Sequence, residues 1–199
     1  MKNLHCLIIL LPLLFVSPQV IKGQIYFGMR DNNYAYCGLT IKNKFNVSIE
    51  HSLYSEKMSY QKIRLYVGYQ QNLGDFNLKV SPYISSVWNG MYKDYGSMID
   101  CSYNIFDFAV GDITFNPHHD SGFGTDFNYM VGIKCKVYKD LWITSHYSCI
   151  PEFRSSEKRV RLGILISVGQ LSIEPCLSIA TEGKTIVRSF CSFKYNFIK

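Results

Sequence analysis

Asn116-Pro117-His118-His119-Asp120-Ser121-Gly122 is the densest polar cluster in the chain. Imidazole and carboxylate are common ligands for zinc and related ions, so His118, His119 and Asp120 are candidate metal ligands. A closed site needs four donors, and the flanking residues do not complete the set. The Asn, Pro, Asp, Ser and Gly of this run read first as a surface turn. No metal and no other cofactor is expected.

His146 and Ser148 form a second candidate group. On a strand they share one face, about 7 Å apart. A nucleophilic serine needs a base within hydrogen-bond reach, and that base needs a third group to orient it. No orienting carboxylate or amide is identifiable from the sequence. A lipid-modifying enzyme built on this pair is therefore the alternative, not the leading reading.

The third group is ionic. Lys62, Arg64, Lys134, Lys136, Arg159, Arg161, Glu174 and Arg188 all fall on one parity of alternating segments. Arg159, Arg161 and Arg188 are expected to face Glu174 across neighbouring strands. Such pairs hold a wall together, or they bias a passage toward anionic solutes.

Strands must position all three groups. Arg159 to Ile179 reads RVRLGILISVGQLSIEPCLSI. Val160, Leu162, Ile164, Ile166 and Val168 alternate with Arg159, Arg161, Gly163, Leu165 and Ser167, and the alternation resumes after Gly169-Gln170. That is the period of a strand, run twice with almost no turn between. The same period recurs along the chain and predicts about twelve strands (ten is the alternative count) with no helix. Short connections at 43–44, 72–75, 106, 139–140 and 170 alternate with longer ones at 30–33, 55–58, 89–95, 116–125, 153–158 and 182–184. An up-and-down membrane barrel has this asymmetry. Trp88 and Trp142 fall at opposite strand ends, as interfacial girdles require. Pro82 and Pro175 lie inside strands, where a closed sheet requires bulges or a nearby turn.

Composition agrees. Of 199 residues, 15% are aromatic and only 18% charged, which suits strands more than solvated helices. The net charge of +6 comes from scattered single lysines and arginines, so nucleic acid is not an expected partner. Lys2 followed by the apolar run Leu7–Val16 reads as a signal peptide over residues 1–23, cleaved before Gln24. Residues 24–199 then form one domain. Cys37, Cys101, Cys135, Cys149, Cys176 and Cys191 contain no CxxC, and five of them fall on the apolar parity. They read as small apolar residues more readily than as a disulfide framework.

The segments FGMRDNNY (27–34), EHSLYSEKM (50–58), IPEFRSSEKRVRLG (150–163) and FKYNF (193–197) give the chain a resemblance to small outer-membrane β-barrel proteins of Gram-negative bacteria. The resemblance covers the whole mature chain. It implies an outer-membrane address, lipid around the barrel, and insertion by the outer-membrane assembly machinery through a terminal aromatic strand. The expected fold is an all-β, closed, up-and-down antiparallel transmembrane barrel. The expected role is non-enzymatic, either a narrow pore with a basic lumen open to small anionic solutes or a structural membrane protein. A soluble periplasmic barrel binding a small ligand is a further alternative, with the apolar column as its core. The mature protein should require detergent for extraction and should migrate differently on gels before and after heating. Recovery as a detergent-free monomer would contradict the membrane reading.

Overall fold

The computed structural model describes residues 23–31, 33–53, 61–122, 124–149, 158–182 and 186–197. The expected signal peptide, apart from Gly23, lies outside them. Twelve strands follow one another: β1 (Gly23–Arg30), β2 (Tyr34–Ile41), β3 (Phe45–Ser52), β4 (Lys62–Leu73), β5 (Phe76–Val87), β6 (Lys93–Phe106), β7 (Ala109–Asp120), β8 (Gly124–Tyr138), β9 (Leu141–Cys149), β10 (Lys158–Val168), β11 (Leu171–Ala180) and β12 (Val187–Asn196). Each pairs antiparallel with its neighbours, and β1 pairs with β12, so the sheet closes as an up-and-down barrel.

The connections at one end are short, at 42–44, 74–75, 107–108, 139–140 and 169–170, and both described chain ends lie on that side. Lys42 and Asn43 turn with φ of 50° and 55°, the left-handed pair that matches hairpin twist. The opposite end carries the longer connections, but one expectation there is corrected. Asn116 to Asp120 and Gly124 to Thr125 are strand, not loop. Asn116↔Asn128, Pro117↔Phe127, His118↔Asp126 and His119↔Thr125 pair as rungs of the β7–β8 ladder. Cross-strand pairing overrides the turn preference of those residue types. The barrel is accordingly lopsided. β1, β2 and β3 have 8 residues each, whereas β6 has 14 and β8 has 15.

The apolar column points outward. Leu162, Ile164 and Ile166 are 47%, 46% and 41% exposed, while Thr144 and Ser178 on the other face are 0% and 1%. A barrel with an apolar core and polar exterior is therefore not what this chain forms. Trp142 departs from the girdle expectation. It lies on the inward parity with Thr144 and His146, and the Lys136 ammonium lies 5.8 Å from its ring. The six cysteines are unpaired.

The strand prolines are accommodated without bulges. β4–β5 pairing stops between Tyr66↔Tyr83 and Tyr69↔Val80, then resumes in the same register around Pro82. β10–β11 skips likewise between Gly163↔Cys176 and Ile166↔Ile173 at Pro175. Pro117 opens a third gap, between Gly96↔His118 and Ile99↔Phe115. Each proline lacks the N–H for that side and stays paired on the other, as in Pro82↔Ser97 and Pro175↔Cys191. The recorded register shifts fall elsewhere, at Asn104/Phe106 and Lys136/Tyr138 near the short turns.

The seam is the thinnest pairing. β1 and β12 share four rungs, Tyr26↔Asn196 to Met29↔Phe193. A side chain reinforces it. Tyr36 of β2 lies across Gly28 of β1 and donates its hydroxyl to the Phe193 carbonyl of β12 at 3.2 Å. A β-carbon on Gly28 would collide with that carbonyl and with the phenol. On the outer face, Phe27 packs against Phe193, Tyr195 and Phe197. Gly28→Val should therefore destabilise the folded barrel by about 1–3 kcal/mol through overpacking, read as a lower midpoint of urea unfolding in lipid or detergent. An unchanged midpoint would show that the seam does not rely on this approach.

Candidate functional site: the barrel lumen

Strand spacing of about 4.8 Å and a tilt of about 40° give twelve strands a backbone diameter of roughly 24 Å. Side chains from every strand reduce that opening, and their chemistry defines the site.

Toward the long-connection end the lumen holds a chain of ion pairs. Lys62 and Arg64 reach Asp94 at 2.9 and 3.1 Å. Arg64 also approaches Glu50 at 3.7 Å, and Arg30 binds Glu50 at 3.0 Å. Arg30 meets Asp31 at 3.5 Å, and Asp31 meets Arg161 at 3.0 Å. The belt thus runs from β6 through β4, β3 and β1 to β10. Tyr83 donates to Asp94 at 3.1 Å, and the Arg64 guanidinium sits 4.6 Å from the Tyr83 ring. Asp31 belongs to the β1–β2 turn with φ of 55° and is 2% exposed. Its backbone N–H donates to Ser192 Oγ, so this one residue ties the turn to β10 and β12. In the connection before β6, burial and then the carboxylates Asp94 and Asp120 push the Tyr92 phenol up.

The middle of the lumen is more open. A cavity of 360 Å³ is lined by Lys79, Asp100, Asp112, Lys134, His146, Arg161 and Glu174, among others. His146 Nε2 lies 3.2 Å from Asp112 Oδ2, although β8 runs between their strands. Gly132 of β8 makes the crossing possible, since a β-carbon there would collide with the imidazole. Thr144 crosses Gly163 in the same way and donates to Glu174 at 2.8 Å. Lys134 approaches Asp112 at 3.8 Å. Toward the short-turn end, Lys194 lies 4.5 Å from the Tyr26 ring and Lys136 faces Trp142.

The candidate residues sort out as follows. Lys62, Arg64, Lys134, Lys136, Arg159, Arg161, Glu174 and Arg188 all occupy the inward parity. No ion pair among the described residues joins Glu174 to Arg159, Arg161 or Arg188. Glu174 takes the Thr144 hydroxyl, Arg161 takes Asp31, and Arg159 donates to Ser178 at 3.4 Å. The counter-ions missing from the sequence reading are Asp31, Asp94 and Asp112. His146 does have an orienting carboxylate, Asp112. Its expected serine partner is not engaged, because no hydrogen bond among the described residues joins Ser148 to His146. Both also face the lumen, away from the apolar outer surface. His118 and His119 separate to opposite faces. His118 lies inward beside Asn128, and His119 lies outward, 5.2 Å from the Tyr95 ring. Asp120 accepts the Gly122 N–H at 2.8 Å. The three do not converge on one ion, and no metal-holding cluster occurs among the described residues.

No protein-family model and no curated protein matches the sequence. Solved structures do. The KdgM porin in complex with disordered oligogalacturonate matches over 88% of this chain and 99% of its own, with TM-score 0.63 and 12% identity. The NanC porin matches over 88% and 100%, with TM-score 0.56 and 8% identity. At such identities the likeness is one of fold: this chain has the closed twelve-strand architecture of small outer-membrane porins.

The ion-pair belt yields a stability prediction. Asp94→Asn leaves Lys62 and Arg64 without their shared carboxylate. Losing charge-assisted hydrogen bonds in a partly hydrated site should cost about 2 kcal/mol, measured by urea unfolding of the lipid-inserted protein. Ser172→Ala, outside the belt, should cost less than about 0.5 kcal/mol.

Proposed function

We propose that this chain is an outer-membrane diffusion channel for small charged solutes with a preference for anions, exported by cleavage before Gln24. The outward apolar column supports lipid around the barrel. Exposed Phe106, Phe108 and Tyr138 at the short-turn end, with Trp88, Tyr95 and Phe127 at the other, fit two interfacial girdles.

The observation that carries the channel reading is the distribution of charge in the lumen. β8 to β12 turn Lys134, Lys136, Arg159, Arg161, Arg188 and Lys194 inward, against Asp126 and Glu174. The remaining wall, β1 to β7 with the β1–β2 turn, carries Arg30, Lys62, Arg64 and Lys79 against Asp31, Glu50, Asp94, Asp100, Asp112 and Asp120. The basic excess therefore belongs to one wall. An anion drawn along β8–β12 gains a favourable potential in a confined, low-dielectric passage. Fold likeness to a porin solved with an oligogalacturonate supports the same class of solute.

In planar bilayers the purified protein should give discrete conductance steps, and a potassium chloride gradient should give a reversal potential of anion-preferring sign. Lys134→Gln with Lys136→Gln should move that potential toward zero. Cation preference in the unaltered protein, or no steps at all, would contradict the proposal.

A further inference from the structure

Among the described residues, four charged side chains facing the lumen between its middle and its short-turn end have no ion-pair partner. Lys79 of β5 and Asp100 of β6 are directly opposed across one rung. Opposite charges so placed are within reach of one another, yet no ion pair joins them among the described residues. Asp100 instead accepts the Thr114 hydroxyl at 2.8 Å. Glu174 of β11 and Lys194 of β12 lie on neighbouring strands one diagonal apart, Glu174 opposite Ser192 and Lys194 opposite Ser172. Glu174 accepts the Thr144 hydroxyl, and Lys194 rests over the Tyr26 ring. Every other carboxylate named in the belt or beside His146 already has a cation partner.

The two stations face each other. β5 and β6 lie six strands from β11 and β12 in a barrel of twelve. Lys79, Asp100 and Glu174 line the same 360 Å³ cavity. Each station offers an ammonium and a carboxylate on adjacent strands, about 5 Å apart for the opposed Lys79 and Asp100 and about 7–8 Å for the diagonal Glu174 and Lys194.

We propose that this mid-lumen cavity is a binding station for zwitterions, solutes that carry an ammonium and a carboxylate a few ångströms apart, as an α-amino acid does. The solute carboxylate pairs with Lys79 or Lys194, and its ammonium pairs with Asp100 or Glu174. A solute of single charge satisfies one member of a station and leaves a like charge beside the other. The zwitterion satisfies both, and specificity follows from that difference. The proposal rests on the channel reading and narrows it, because the basic wall draws the carboxylate in while the stations select for the accompanying ammonium.

The test compares phenylalanine, N-acetylphenylalanine and phenylalanine amide as blockers of single-channel current. The three share a ring and differ in charge. Phenylalanine is expected to half-block at a concentration at least tenfold below either analogue. Asp100→Asn combined with Glu174→Gln should erase its advantage over N-acetylphenylalanine. Lys79→Met should shrink its advantage over the amide. The open-channel steps of each variant report that it has folded. Equal block by all three compounds, or an advantage that survives the double substitution, overturns the station while leaving the channel intact. Absence of steps in the unaltered protein overturns the channel reading instead. Binding of the same three compounds to detergent-solubilised protein, followed by Trp142 fluorescence, then decides the station. Tenfold tighter binding of phenylalanine supports it, and equal binding overturns it.

Discussion

In hydrocarbon no water is present to satisfy a backbone N–H or C=O, and each one left open costs several kcal/mol. Every strand therefore needs a partner on both sides, and only a closed sheet provides that. The rest of this structure follows from the requirement. The first strand must find the last, although they are far apart in the chain and share only four rungs. The Tyr36 phenol over Gly28 and the outer aromatic cluster around Phe27 reinforce those rungs, and the Asp31 turn held by Ser192 and Arg161 acts just beyond them. The three strand prolines are tolerated because each gap is short and the register is held on either side of it.

Closure also dictates the interior. One face must be largely apolar, so most polar and ionic groups of the strands are turned into the same narrow space. Most of these groups find partners beyond the adjacent strand. His146 reaches Asp112 over Gly132, Thr144 reaches Glu174 over Gly163, and Asn46 reaches the Tyr26 hydroxyl at 2.6 Å across the Gly38 strand. Glycine recurs at these crossings because a β-carbon would occupy the path. The glycines and the charges are thus one design, in which interior hydrogen bonds span three strands and stiffen the wall against shear. Where that satisfaction is left incomplete, at Lys79, Asp100, Glu174 and Lys194, the interior is chemically available to a solute.

The fold was legible because strand alternation is a local signal. Val160 to Val168 and Leu171 to Ile179 declare their period without help from the rest of the chain, and the short connection between them is unambiguous. The direction of the apolar column was also legible, from the asymmetry of connection lengths. Four things were not. Asn89 to Tyr95 reads as a loop from its turn residues, yet β6 begins at Lys93, so Asp94 was missed as the carboxylate that binds Lys62 and Arg64. Asp31 looks like an ordinary turn residue, and its contact with β10 exists only once the barrel has closed. The Asn116–Asp120 run has turn composition but sits in a ladder imposed by its neighbours on both sides. Arg161 was expected at Glu174 because alternation gives a face but not a height. Strand tilt brings Asp31 to Arg161 instead.

The central claim is that one parity of each strand meets lipid and the other meets the aqueous lumen. Spin labels on single cysteines at positions 161 to 166, placed in a background lacking the six mature cysteines, test it directly. In lipid vesicles, accessibility to oxygen should peak at 162, 164 and 166, and accessibility to a water-soluble nickel complex at 161, 163 and 165. A reversed alternation, or none, would contradict the account.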